Sequence, residues 1–393
     1  MHSHYLFLSQ QQFNMKTLLF IIPSLKTGGT NSSLDAMFSQ LNKDYNISVF
    51  AISHQPRNHN YSFDEVLLQQ DVILSLLFSN YTDQKGKYKL FAFFLKSLQS
   101  ILRIVGIDLG MDYGKRVIRR LESQIKPDYV IAFQEGFATK FTSLFNNPSK
   151  IAWIHCNYNA YLPQGKSEEA LYSGFIKIVC VSEYTSSVFM QRYPSLANHT
   201  LAIHNIIDCD RIMEKAKEPI DDPRFETQGL ILLTVGRFSP VKRFREIPKI
   251  AFEIKRQGIR FRWYILGPQD NSKECDVFLA NQAQYDVHDC VRWLEGKSNP
   301  YPYFKVSDLY VCLSESEACP MVFLEAKLFG LPIVTTDFPS AYEFVSQGEG
   351  AITSMETLSD AIVTVARQAY KTGFNDHVYD NTKVLERLNA LFG

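Results

Sequence analysis

The sequence lacks any excess of one charge: 41 Lys and Arg stand against 41 Asp and Glu in 393 residues. The whole chain therefore has no electrostatic reason to bind nucleic acid, and no nucleic-acid partner is expected. Paired cysteines are missing too. The seven cysteines are an odd number, stand singly and never form C-x-x-C, which argues against a disulfide framework or a zinc ribbon and for a reducing, cytoplasmic setting. Low-complexity tracts are also absent, and 46% hydrophobic with 21% charged residues is ordinary globular composition. Single cores stop growing near ~250–300 residues, so a chain of this length predicts two domains. Lys16 followed by the apolar run 17–22 has the flank of a signal peptide, but Pro23 cuts the run short and no A-x-A-like site follows. It reads as a buried strand, with the residues before Met15 an extension outside the fold.

What is present is alternation. A strand at 17–22 leads through a turn containing Gly28 and Gly29 into a helix at 32–41 and a strand at 47–52, the start of a βαβ series. Further apolar runs fall at 129–133, 151–154 and 176–181. Short, near-continuous runs of this kind suit a parallel sheet covered on both faces. Between 209 and 228 the pattern gives way to charge and proline, which predicts a linker. A second series then begins at 230–235, with later strands at 262–266, 309–312 and 333–335. Two α/β blocks joined by one hinge predict a ligand cleft where the carboxyl ends of parallel strands collect.

Two loops in the second block carry the candidate chemistry. The strand at 230–235 runs into Gly236, Arg237 and, five residues on, Lys242. The glycine permits a tight exit, and the two cations suit a pyrophosphate. Alone, such a loop is ordinarily a solvated basic surface. The other segment runs from Ser314 through Glu317 and Pro320 to Glu325, Gly330 and Pro332. Its helix opens at Pro320, so the amides of Met321 and Val322 are free at the helix start to meet a phosphate. Glu325 sits in the first turns, placed to accept from two adjacent ribose hydroxyls. As an isolated pair, the two glutamates read as cap and surface residues.

Together these residues resemble glycosyltransferase family 4. That family carries G-R-x4-K after the first strand of its C-terminal domain, a later strand ending in glycine, and S-x-x-E-x7-E-A-x-x-x-G-x-P. The chain supplies Gly236, Arg237 and Lys242, then Gly267, then Ser314, Glu317, Glu325, Ala326, Gly330 and Pro332 in order. Gly28 and Gly29 resemble the family's glycine loop, His155 its acceptor-side histidine, and the segment 203–208 its domain connection. The resemblance spans about 15–343. One departure stands at Ala318-Cys319-Pro320, where many members have G-F-G, and Pro320 offers no N–H to a donor sugar.

The resemblance implies the GT-B fold, two Rossmann-like domains with parallel sheets facing across a cleft. Residues 15–208 would be the acceptor side and 229–370 the nucleotide-sugar side, joined by the linker 209–228. The segment 371–393 would be helical and return to the first domain. It further implies a retaining, metal-independent transferase with no bound cofactor, whose donor is a UDP-sugar, or in second place a GDP-sugar. The acceptor would be a glycan or lipid-linked sugar in bacterial capsule or lipopolysaccharide synthesis. By the same resemblance Arg237 and Lys242 clamp the diphosphate, Glu325 holds the ribose, Glu317 lies by the donor sugar and His155 faces the acceptor. Asp208-Cys209-Asp210 spells D-x-D, but at a domain junction it is not expected to bind metal.

From Lys85 to Arg120 nine cations meet two acids among many apolar residues. This reads either as a basic amphipathic helix lying on an anionic membrane or as a helix packed on the sheet with its lysines reaching outward. Two other functions remain open, a GT-B nucleotide-sugar 2-epimerase and a catalytically silent nucleotide-binding partner.

Overall fold

The computed structural model describes residues 15–25, 28–53, 61–78, 87–104, 106, 108–269, 271–372 and 381–393. The residues before Met15, Lys26 and Thr27 of the glycine turn, and Lys85 and Val105 of the basic stretch lie outside these. The chain forms two compact units, Met1–Asn205 with Arg387–Gly393, and Ile206–Glu386.

In the first unit six parallel strands lie in the order β2-β1-β3-β4-β5-β6. They are β1 (Thr17–Ile22), β2 (Asn46–Ala51), β3 (Tyr129–Ala132), β4 (Lys150–Ile154), β5 (Lys177–Cys180) and β6 (Thr200–Ala202). Helix α1 (Gly29–Leu41) follows β1. Three helices, α2 (Val72–Phe78), α3 (Lys87–Ile104) and α4 (Leu109–Ile125), fill the connection from β2 to β3, and α5 (Glu183–Arg192) precedes β6. The last residues of the chain also belong here. Lys16 Nζ donates to the carbonyls of Phe392 at 2.9 Å and Gly393 at 2.6 Å, and the Phe392 ring meets Tyr45 and Tyr129 edge-on.

The second unit repeats the plan with β7 (Leu230–Val235), β8 (Phe261–Leu266), β9 (Val291–Trp293), β10 (Leu309–Cys312), β11 (Ile333–Thr336) and β12 (Gly350–Thr353), ordered β12-β11-β10-β7-β8-β9. Its main helices are α6 (Cys209–Lys215), α7 (Ile247–Arg256), α8 (Ser272–Gln284), α9 (Tyr301–Val306), α10 (Met321–Leu328) and α11 (Leu358–Thr372); α12 (Thr382–Phe392) begins in this unit and passes into the first at Arg387. Side chains alternate between two apolar cores. Leu230, Leu232, Trp263, Ile265, Leu309 and Val311 share one, whereas Ile231, Leu233, Tyr264, Leu266, Tyr310 and Cys312 share the other. Burial on both faces is why these strands read as continuous apolar runs. A buried relay crosses the centre of the sheet: Trp263 Nε1 donates to Thr234 Oγ1 at 3.0 Å, and Thr234 donates to the Val311 carbonyl at 2.7 Å.

The sequence reading had no strand at β6, β9 or β12. All three are sheet edges, three or four residues long and mostly half-buried, so they lack an unbroken apolar run. Residues 209–228, expected as a linker, begin with α6 and lie wholly in the second unit. An ion cluster fastens the later part of this segment. Asp222, only 3% exposed, accepts from Arg224 Nε and Nη2 at 2.9 and 2.8 Å and pairs with Lys297 Nζ at 2.7 Å.

The bidentate Arg224 bond and Lys297 hold the Asp222 carboxyl well below its ordinary value of 3.8, outweighing burial. Because the folded value is depressed, the pair's stabilisation is complete above about pH 4 and lost as pH falls below it. We expect Asp222→Asn to cost about 1–3 kcal/mol at pH 7, and denaturant titrations to show that gap narrowing on acidification. A gap unchanged at pH 3 would refute the cluster's electrostatic role.

Candidate functional site

In each sheet the strand order reverses direction beside the first strand of the unit. The reversal lies between β1 and β3 in one and between β7 and β10 in the other. At such points the loops leaving neighbouring strands diverge and open a crevice at their carboxyl ends. In the second unit, Gly236, Arg237 and Lys242 follow β7 while Ser314 and Glu317 follow β10. The fold therefore brings both candidate loops to one switch point.

The loops are tied together. Glu315 N donates to the Val241 carbonyl at 2.8 Å, Arg243 pairs with Glu315 at 3.4 Å, and Lys242 Nζ bonds Glu317 Oε1. That same oxygen accepts from Ser314 Oγ at 2.6 Å, and Ser340 Oγ donates to the Glu317 carbonyl at 2.7 Å. Lys242 and Glu317 are 22% and 15% exposed at the side chain. Burial pulls the Lys242 ammonium down, but the adjoining Glu317 carboxylate leads the opposing interactions that together hold it above the ordinary lysine value. Lys242 is thus a fixed cation. Arg237 is exposed on the same loop.

Glycine is required at 267 by crowding. A Cβ there would lie 1.8 Å from the Gly236 carbonyl oxygen, so the chain leaving β8 touches the backbone of the loop leaving β7. Gly236 N in turn donates to the Leu266 carbonyl at 2.9 Å, and Gly267 N to that of Glu295 at 2.8 Å. Phe238 is fully buried against Phe244, Phe278 and Trp293. That anchor holds the segment between Arg237 and Lys242 in place.

Pro320 stands just ahead of α10, whose first residues are Met321 and Val322. Amides in a first turn have no acceptor within their own helix. Glu325, one turn on, has a carboxyl pushed up to about 7 by burial, which the Tyr301 hydroxyl, 3.5 Å away, only partly offsets. Nothing in the spacing of the sequence pointed to Tyr301, which reaches Glu325 from α9, 24 residues earlier. Ser340 was missed as well, since it comes from the far side of β11.

In the first unit Gly28 and Gly29 stand at the start of α1, where the extended Gly28 has no side chain to cap the helix. Across the switch point the loop after β3 carries Glu135, also unforeseen, whose carboxylate accepts from His155 N at 2.9 Å just beyond β4. The His155 ring packs on Phe133 with centroids 4.8 Å apart, and its Nε2 is buried with no hydrogen-bond partner among the described residues. Burial lowers its pKa to about 3, so the imidazole is neutral at pH 7. Asp208 of the D-x-D caps α6, accepting from Arg211 N at 3.1 Å.

Residues 216–378 match the family model described as Glycosyl transferases group 1. An uncharacterized glycosyltransferase of Methanocaldococcus jannaschii is 20% identical over 243 residues, 56% of this chain and 58% of that protein. An uncharacterized glycosyltransferase of Haemophilus influenzae is 24% identical over 224 residues, 55% of this chain and 59% of the relative. The chain thus spans less than two thirds of the length of these curated relatives. The crystal structure of Anabaena HepE in complex with UDP and glucose aligns at a TM-score of 0.69 with 14% identity, covering 96% of this chain and 99% of that one. The two parallel α/β units are those of the GT-B fold, and the match to glycosyl transferases group 1 falls within the second of them.

Proposed function

We propose that the chain is a retaining glycosyltransferase of the family 4 type, moving a sugar from a nucleotide sugar to a glycan or lipid-linked acceptor in bacterial surface polysaccharide synthesis. The observation that carries this reading is the convergence of Arg237, Lys242, Glu317 and the start of α10 at the switch point of the second sheet. A UDP-sugar is the favoured donor, a choice supported by the UDP that Anabaena HepE binds.

In this mechanism the bond from the anomeric carbon to the diphosphate oxygen breaks while the acceptor oxygen bonds to the same face. The acceptor's proton passes to the departing phosphate. Negative charge then grows on the leaving group, and Arg237, Lys242 and the amides of Met321 and Val322 are the groups that stabilise it. Glu317 is the counter-ion that keeps Lys242 charged and lies by the donor sugar. Glu325 accepts from the ribose hydroxyls. His155, neutral in its apolar surroundings, offers the acceptor side a hydrogen-bonding nitrogen rather than a charge. With Pro320 in the loop, the amides ahead of Met321 contribute less to sugar recognition than in family members with glycine there.

Screening sugar nucleotides for acceptor-dependent release of the nucleotide identifies the donor and separates transfer from epimerisation. With that donor, Arg237→Ala and Lys242→Ala are each expected to lower turnover by about 10²-fold or more. Unchanged rates in both folded variants would end the phosphate assignment.

Calorimetry with UDP alone separates the two glutamates. Charge-assisted hydrogen bonds contribute about 1.5–3 kcal/mol each, so Glu325→Gln should weaken UDP binding at least tenfold, while Glu317→Gln spares binding and impairs transfer. The opposite ranking would exchange their roles.

The Glu325 carboxyl also predicts a pH signature. Its folded pKa of about 7 exceeds the ordinary 4.5, so the unfolded chain ionises first. Wild-type stability should therefore fall as pH rises from about 4.5 to 7 and carry the full penalty above that. Glu325→Gln should match wild type near pH 4 and gain on it progressively up to pH 8 in thermal melts. Equal melting temperatures throughout would show that the carboxyl is not destabilised by burial.

A further inference from the structure

Helix α3 carries two apolar sides, and only one of them is covered. Ala92, fully buried, and Gln99, 7% exposed, stand two turns apart on its packed side, where Gln99 Nε2 donates to Asp108 Oδ1 at 3.2 Å at the start of α4. Leu90, Phe94, Ile101 and Ile104 follow at steps of four, seven and three residues, a line half a turn away from Ala92 and Gln99. They are 77%, 63%, 62% and 84% exposed, with Phe91 and Phe93 beside them at 51% and 59%. Six large apolar side chains on one surface helix are a contiguous patch, and such patches mark interaction sites.

Charge selects the partner. Between Gln84 and Ile107 the sequence holds Lys85, Lys87, Lys89, Lys96 and Arg103 and no Asp or Glu. On a helical projection Lys89 and Lys96 fall on one flank of the exposed apolar line. The next helix adds exposed Lys115, Arg116, Arg119 and Arg120. A second copy of this chain docking face to face would set cations against cations, because a two-fold interface repeats the same patch on both sides. An anionic lipid surface meets both features at once, taking the apolar side chains among its acyl chains and the cations against its headgroups. No helix among the described residues is long and apolar enough to cross a membrane.

We propose that α3 is a docking surface for an anionic bilayer, lying in the plane of the interface with Leu90, Phe94, Ile101 and Ile104 inserted. This reading does not rest on the transferase assignment and would survive its failure.

The test is co-sedimentation of the full chain with vesicles of phosphatidylcholine alone and of phosphatidylcholine mixed with phosphatidylglycerol. Binding is expected to the mixed vesicles only, weakening as salt is raised. Lys89→Glu should lower vesicle affinity at least fivefold, each cation being worth about that factor. Phe94→Ser combined with Ile101→Ser should lower it at least tenfold, with melting temperature and UDP binding unchanged because both side chains are exposed. Absence of binding to the mixed vesicles, equal binding to both kinds, or wild-type affinity in the double variant would overturn the proposal. So would a dimer, seen by equilibrium sedimentation, that the double variant dissociates while vesicles fail to bind.

Discussion

The bond between Lys242 and Glu317 joins the two loops that leave the switch point of the second sheet, and the other candidate residues of these two loops are arranged around it. Partial burial works against the Lys242 ammonium and the Glu317 carboxylate leads the interactions that favour it, while that carboxylate in turn is fixed by Ser314 through its side chain and by Ser340 through its backbone. Removing either partner leaves the survivor as an uncompensated, half-buried charge. The pair therefore sets the spacing of the loops as well as the charge between them. The Glu315 amide on the Val241 carbonyl reinforces that spacing through the backbone.

Each unit also holds a group whose surroundings oppose its charged form. Burial raises the Glu325 carboxyl in one unit and lowers the His155 imidazole in the other. His155 Nε2 and Trp153 Nε1 are both buried without a hydrogen-bond partner among the described residues. Buried polar groups are ordinarily satisfied, and exceptions cluster where a protein gives up stability for a task. In the second unit, by comparison, Asp222 is buried yet paired, and Trp263 donates to Thr234, which donates onward to Val311.

Close packing of backbone accounts for a further share of the site's rigidity. Gly267 has no room for a Cβ beside the Gly236 carbonyl, so the exits of β7 and β8 are locked together. Phe238 drives its ring into the core between Arg237 and Lys242, and the loop that carries the cations is rigid for an apolar reason. In α3 the same kind of apolar side chain faces outward, and there it marks a surface rather than a core.

The sequence alone determined the two α/β blocks, because strands buried on both faces must be apolar at every position and so stand out as runs. It also singled out the two candidate loops that the fold brings to one switch point, because glycine, cations and glutamates at fixed distances after strands are a pattern local in the chain. Short edge strands escaped it, because half-exposed residues need no apolar pattern. The burial that raises Glu325, the approach of Tyr301, the bond from Glu135 to His155 and the return of Phe392 to Lys16 depend on residues far apart in the chain. Tertiary structure alone decided these, because desolvation and hydrogen bonding are properties of the space a side chain occupies, and that space is assembled from segments whose order in the sequence does not record their distance.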